Sequence, residues 1–271
     1  MSWFHAPASE TQITHGRRLW LYALSGLVMF FLVVPSLVVV PMSFSASTYL
    51  EFPPKEWSFR WYGSYFTSTA WLNATSTSLK VAVLTMLVAT PMGTLAAYGL
   101  HVSRFRFSAV IFVVLLMPLM VPIIMIAVGV FFLYAKLGMI NTIVGLVMAH
   151  SMLAIPLVVI VVTAGLKSYD MDQELVARSL GASRARAFVT VTLPQIRFSV
   201  ITSALLAFLT SLDEVIIALF VSGGQNATIT RRMFNALRDQ IDPTIASIST
   251  CLIVVSVVLL ATAQIFGKER D

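Results

Sequence analysis

The sequence predicts an all-α membrane protein with six transmembrane helices, on three observations. Hydrophobic residues fill 58% of the 271 positions and charged residues only 11%, a balance outside the range of soluble domains. Six apolar stretches, at about 19–43, 72–100, 107–135, 142–166, 198–221 and 244–266, each reach the roughly 20 helical residues needed to cross a hydrocarbon core about 30 Å thick. The polar remainder is too short for a separate globular domain. The expected organisation is therefore a tail over 1–18, one six-span domain over 19–266 with a polar loop at about 167–197, and a short tail over 267–271.

The first span follows Arg17 and Arg18 and runs to about Val40, longer than the apolar core of a signal peptide and with no small-residue cleavage site, so it reads as retained. Pro35 inside it is tolerated in a membrane helix. Residues 44–71 form an external connection with Pro53, Pro54 and the aromatics Trp57, Phe59, Trp61, Tyr62, Tyr65 and Phe66. That density suits an interfacial belt, the alternative being contact with an external binding protein. The second span carries Gly93, Ala96, Ala97 and Gly99, small residues that let helices approach closely. Lys80 within it either snorkels outward or pairs with an acid. Pro118 and Pro122 should kink or loosen the third span. A turn is expected near Gly138 to Asn141, then a fourth span with His150 and Pro156. No second histidine or acid stands at helical spacing from His150, so it reads as a bundle histidine rather than a metal ligand. After the fifth span, Gly223 and Gly224 open an external loop with a short helix from Thr230 to Asp239, and the sixth span ends before Lys268. Asn226-Ala227-Thr228 matches a glycosylation acceptor, a pattern short enough to arise by chance.

The run from Tyr169 to Ile201 is polar inside an otherwise apolar chain. Asp170 or Asp172 is placed to cap a short helix reaching Leu180, because an aspartate oxygen satisfies the first free amides. Gly181 stops that helix by entering the left-handed region without a Cβ clash. Ser183 caps a second helix carrying Arg184, Arg186, Phe188 and Val189, and Pro194 marks its boundary. Leu175, Val176, Leu180, Phe188 and Val189 then form an apolar ridge on a basic, water-facing element, the pattern of a docking surface.

At these residues the chain resembles the inner-membrane permease subunits of binding-protein-dependent ABC importers, whose loop reads E-A-A, three residues, G, nine residues, I-x-L-P. Gly181, Ala182 and Ser183, then Val191, Leu193 and Pro194, match with the family's spacing. The start departs: Glu174 lies seven residues before Gly181 rather than six, and Val176 replaces an alanine. Ser211 to Gly223, SLDEVIIALFVSG, is similar to the polyamine (spermidine/putrescine) subgroup. The resemblance implies a coupling-helix loop between spans 4 and 5, with Glu174, Ala177, Leu180, Gly181, Ala182, Ser183, Leu193 and Pro194 engaging an ATPase. It also implies a second permease subunit, expected to be a paralogue, two ATP-binding subunits that carry ATP and Mg, and an external or periplasmic solute-binding protein. The chain itself is then a non-catalytic subunit without a cofactor, in the inner (cytoplasmic) membrane.

The costliest residues are Asp213 and Glu214 in the fifth span. An ionised acid near a helix centre costs on the order of 2.5–3.5 kcal/mol to insert, so the pair should face protein or water. Two roles compete, a structural hydrogen bond or ion pair and the lining of a path for a cationic solute. The net charge of +6 follows membrane topology rather than a nucleic-acid footprint. With alternating spans, eleven basic residues (Arg17, Arg18, Arg104, Arg106, Lys167, Arg178, Arg184, Arg186, Arg197, Lys268, Arg270) fall on one side and seven elsewhere, which places both termini in the cytoplasm. The sequence holds no G-x-x-x-x-G-K-[ST], no H-E-x-x-H, no G-x-S-x-G and a single cysteine, Cys251, so no catalytic or metal framework is expected. A self-sufficient secondary transporter or channel is the competing class. It would call for inverted repeats with broken helices, and no internal repeat is evident. A membrane-embedded scaffold would not need acids within a span.

Overall fold

The computed structural model describes residues 14–103, 105–239 and 241–267. Arg104, Lys268 and Arg270, used in the charge argument, lie outside the described residues, as does most of both expected tails. Among the described residues the chain is helical, apart from one isolated bridge between Ser45 and Trp57. It divides into two compact units, Met1–Ser64 with Ile241–Cys251, and Tyr65–Gln240 with Leu252–Asp271.

In the first unit, helix α1 (Leu19–Met42) follows a 3-10 turn at His15–Arg18. Its 24 residues reach about 36 Å at 1.5 Å per residue, with Pro35 and Pro41 accommodated inside and no residue buried. The connection after it folds on itself. Phe44 packs on Phe59 and Tyr62, each with ring centroids 5.2 Å away, the Ser43 and Tyr62 hydroxyls share a hydrogen bond of 2.8 Å, and Arg60 donates to the Ala46 carbonyl. Tyr49, Trp57 and Phe59 remain exposed. Helix α2 (Arg60–Thr67) begins in this unit, as does α13 (Thr244–Gly267), whose Ser247 donates to the Trp61 carbonyl.

In the second unit, α3 (Thr69–Val102), α6 (Ile143–Ser168) and α10 (Arg197–Asp213) form the core. Ser68 caps α3 by accepting from the Trp71 amide, and Thr142 caps α6 by accepting from Gly145. Small residues on α3 set the spacing, as expected. Ala89, Gly93 and Ala97 are buried, and a Cβ added at Gly93 would lie 2.6 Å from Val158 Cγ1 of α6. Gly99 does not share that role, since nothing lies within 4 Å of its would-be Cβ. Lys80 is exposed on α3.

The third apolar stretch is more than kinked. It forms α4 (Ser108–Met120) and α5 (Ile123–Leu137), at 97° to each other. The cause is Pro122, which has no amide to donate and forces its predecessor out of the α region; Val121 is extended at φ −86, ψ 134. Gly138 ends α5 in the left-handed conformation at φ 67. The fifth stretch is also broken, between α10 and α11 (Ile216–Val221). Among the described residues four helices are long and apolar enough to cross a membrane unaided, and up to six spans result if each bent pair, α4 with α5 and the Arg184–Gln195 run with α10, counts as one. The chain is an all-α membrane protein. The expected external helix is α12 (Ile229–Asp239), fixed by the Ser78 hydroxyl accepting from the Ile229 amide and by Arg232 over the Trp71 ring at 4.8 Å.

Candidate functional site

The polar loop folds as its local signals direct, with changes at both ends. Helix α7 spans Asp172–Ser179. Asp172 is its first residue and caps nothing, while Asp170 accepts from the Asp172 amide at 3.0 Å. At the other end Leu180 closes the helix and Gly181 takes φ +94. The Gly181 amide donates to Arg178 and the Ala182 amide to Ala177, the paired bonds of a Schellman turn. Ser183 then accepts from the Arg186 amide and starts α8 (Arg184–Ala187).

Pro194 is not the boundary that the sequence led us to expect. The helix passes through a π turn at Phe188–Thr192 into α9 (Leu193–Gln195) and breaks only at Ile196, where the axis turns by 80° into α10. A proline removes one amide and crowds the carbonyl four residues back. The wider turn, in which the Leu193 amide reaches the Phe188 carbonyl, accommodates this without ending the helix.

Four members of the expected ridge face outward: Leu175 is 53% exposed, Val176 60%, Leu180 84% and Val189 56%. Phe188 does not join them. It is buried against Tyr98 of α3, with ring centroids 4.4 Å apart. Glu174 is also buried; its Oε1 accepts from the Tyr98 hydroxyl at 2.6 Å and its Oε2 from Thr192 at 2.5 Å. Ala177 and Ala182 are half-buried, Gly181, Ser183 and Pro194 are exposed, and Leu193 leans on the core. Arg178, Arg184 and Arg186 are exposed around the ridge. Burial pushes the Tyr169 phenol, at the end of α6, above its ordinary value. A cleft of about 180 Å³ lined by His101, Val102, Met171, Glu174, Leu175 and Arg178 separates α7 from the end of α3.

The acidic pair divides. Asp213 ends α10 and is exposed, whereas Glu214 is buried. The Glu214 carboxylate accepts from the amides of Ile217 at 2.8 Å and Ala218 at 2.9 Å, capping α11 across the break. His150 Nε2 of α6 stands 3.7 Å from it, while His150 Nδ1 bonds Ser211 and Ser211 bonds Thr85 of α3. His150 and Glu214 are 64 positions apart in the sequence, and no local pattern announces their meeting. Thr230 of α12 donates to the Glu214 carbonyl. Nearby, Arg231 reaches the Ala218 carbonyl, and burial holds its guanidinium below the ordinary value. Asn226 spends its side-chain amide on the Asn141 carbonyl at 2.6 Å, a structural use of the would-be acceptor site. Among the described residues no group of three or more His, Cys, Asp or Glu is placed to hold a metal.

Comparison with known proteins agrees with this architecture. The sequence pattern of the binding-protein-dependent transport system inner membrane component matches residues 89–269. The spermidine/putrescine transport system permease protein of Haemophilus influenzae is 27% identical over 241 residues, 89% of this chain and 93% of that one. The putrescine transport system permease protein of Escherichia coli is 31% identical over 234 residues, 82% of each chain. Among solved structures, a bacterial ABC transporter for import of the acidic polysaccharide alginate superposes with a TM-score of 0.74 at 14% identity, over 93% of this chain and 98% of that one. With its span bundle, its polar loop and a match over more than half its length, the chain belongs to the inner-membrane components of binding-protein-dependent transport systems.

Proposed function

We propose that this permease subunit docks a separate ATPase through the ridge at Leu175, Val176, Leu180 and Val189, and that its solute is a polyamine or a related organic cation. The observation that carries the docking is the exposure of four large apolar side chains in the polar stretch around Gly181, where Arg178, Arg184 and Arg186 are exposed as well. Apolar side chains gathered on a water-facing surface mark protein contacts. In this reading both termini and the loop lie in the cytoplasm of a cell whose inner membrane the chain spans several times. Two such subunits, expected to be paralogues, form the pore. Two ATPase chains hold ATP and Mg beneath it, and an external binding protein delivers the solute. Closure of the ATPases draws the loops together and favours the outward-open bundle, a nucleotide-biased equilibrium whose coupling is reciprocal. Gly181, with Ala182 and Ser183, sets the angle between α7 and α8, and Leu193 and Pro194 join that unit to the bundle.

Leu180→Asp tests the docking. A central apolar anchor is worth about 2 kcal/mol, so ATPase binding should weaken about thirtyfold, read by co-purification. Undiminished binding would overturn the reading, and solute uptake by the lone chain in vesicles would favour a self-sufficient transporter.

The cationic solute is supported by the names of the polyamine-transporting relatives and by the exposed Asp213 beside the break in the fifth span. Asp213→Asn should lower polyamine uptake about tenfold through loss of one ionic contact; unchanged uptake removes Asp213 from the path.

A further inference from the structure

We infer that Glu174 acts inside this chain, as the tie that carries a displacement of the loop into α3, and not as a contact to the ATPase. The inference rests on the docking reading above and deepens it. Glu174 is 1% exposed, and its two hydroxyl donors, Tyr98 and Thr192, are 9% and 0% exposed. Their distances of 2.6 and 2.5 Å are at the short end for hydroxyl donors. One carboxyl group therefore joins three elements: α7, the end of α3 and the π turn. The Phe188 ring stacked on Tyr98 closes the same junction from the apolar side.

The mechanical consequence follows from what surrounds the junction. Helix α7 has eight residues, too few to be stable unless anchored. Its chain connections run through Tyr169 and the Gly181 turn, and Gly181 meets no atom within 4 Å of a would-be Cβ. A push on Leu180 could be absorbed there by rotation alone. The Glu174 bonds deny that escape, because α7 cannot turn without moving Tyr98. Tyr98 sits on α3, which packs closely on α6 at Gly93 against Val158. The tie thus routes loop motion into the centre of the bundle, in parallel with the covalent route through Ile196. Glu174 is a positioning residue that works through Tyr98.

The test uses the assembled transporter in vesicles and reads ATP hydrolysed per solute carried. Tyr98→Phe, which removes one of the two hydrogen bonds, should raise that ratio about tenfold, and Glu174→Ala, which removes both, at least as much, with the ATPase chains still co-purifying. Glu174→Gln keeps a carbonyl acceptor for one hydroxyl and should recover part of the coupling. A purely structural role would lower the yield of complex and leave the ratio at the parental value, which overturns the inference. Loss of ATPase binding in Glu174→Ala together with a parental Tyr98→Phe would also overturn it, by turning Glu174 toward the partner. Leu180→Asp in the same assay separates the two claims. If that variant keeps its ATPase, the docking reading fails; if it loses the ATPase while the Tyr98 and Glu174 variants couple normally, only the tie fails.

Discussion

Gly181→Val is expected to reduce solute transport about a hundredfold, while ATP hydrolysis continues without the stimulation that solute normally brings. At φ +94 an L-residue pays conformational energy of roughly 1–2 kcal/mol, and a β-branched one sits at the upper end. Moving out of that region also breaks the two Schellman bonds to Arg178 and Ala177, each worth about 1 kcal/mol. Together these bias the turn by about 3 kcal/mol against the angle that presents Leu180, which corresponds to roughly a hundredfold in population. The penalty is conformational rather than steric, since an added Cβ meets nothing within 4 Å. Gly181→Asn should therefore transport close to the parent, because asparagine visits the left-handed region. Paired uptake and ATPase assays in vesicles decide it. Parental transport by the valine variant would refute the hinge, and equal damage from asparagine would mean that the surface, not the angle, matters.

The hinge was legible because its instructions are local. Glycine after a short amphipathic run and serine two positions later carry their meaning in their own backbone preferences. What failed in the same loop was decided from afar. Phe188 has the spacing of a ridge residue, yet Tyr98, ninety positions earlier, offers it a buried partner. The burial of Glu174 carries no local mark either, since its partners Tyr98 and Thr192 lie 76 and 18 positions away. Pro194 announced a boundary by a sound rule, but a π turn answers the missing amide as well as an interruption does.

The bundle shows the same division. Apolar length located the four helices long enough to cross a membrane and the bent third stretch, and Pro122 signalled its own break through the residue before it. The break before α11 carries no such mark, for the segment Ser211 to Val221 contains neither glycine nor proline. Its only sign is an acid just ahead of an apolar run, the arrangement that favours a helix N-terminus. Inside a long hydrophobic stretch that sign is easily taken for a solute contact, and only Asp213 keeps the exposure such a role requires.

Glu214→Ala is accordingly expected to act on folding before it acts on transport. The substitution strips the acceptor from the Ile217 and Ala218 amides, at residues that are 0% exposed. A buried donor left without a partner costs about 1–3 kcal/mol, and the hydrocarbon region supplies no water in compensation. The two amides together lose roughly 2–6 kcal/mol, which for a chain of this size lowers the melting temperature in detergent by on the order of 10 °C. Glu214→Gln retains one carbonyl oxygen and should lose about half as much. Asp213→Asn, at an exposed neighbour, should melt with the parent even where uptake falls. The two acids then separate cleanly, one moving the melting curve and the other the uptake rate. A Glu214→Ala protein that melts with the parent would mean that α11 holds its start without the carboxylate, and the break in the fifth span would need another cause.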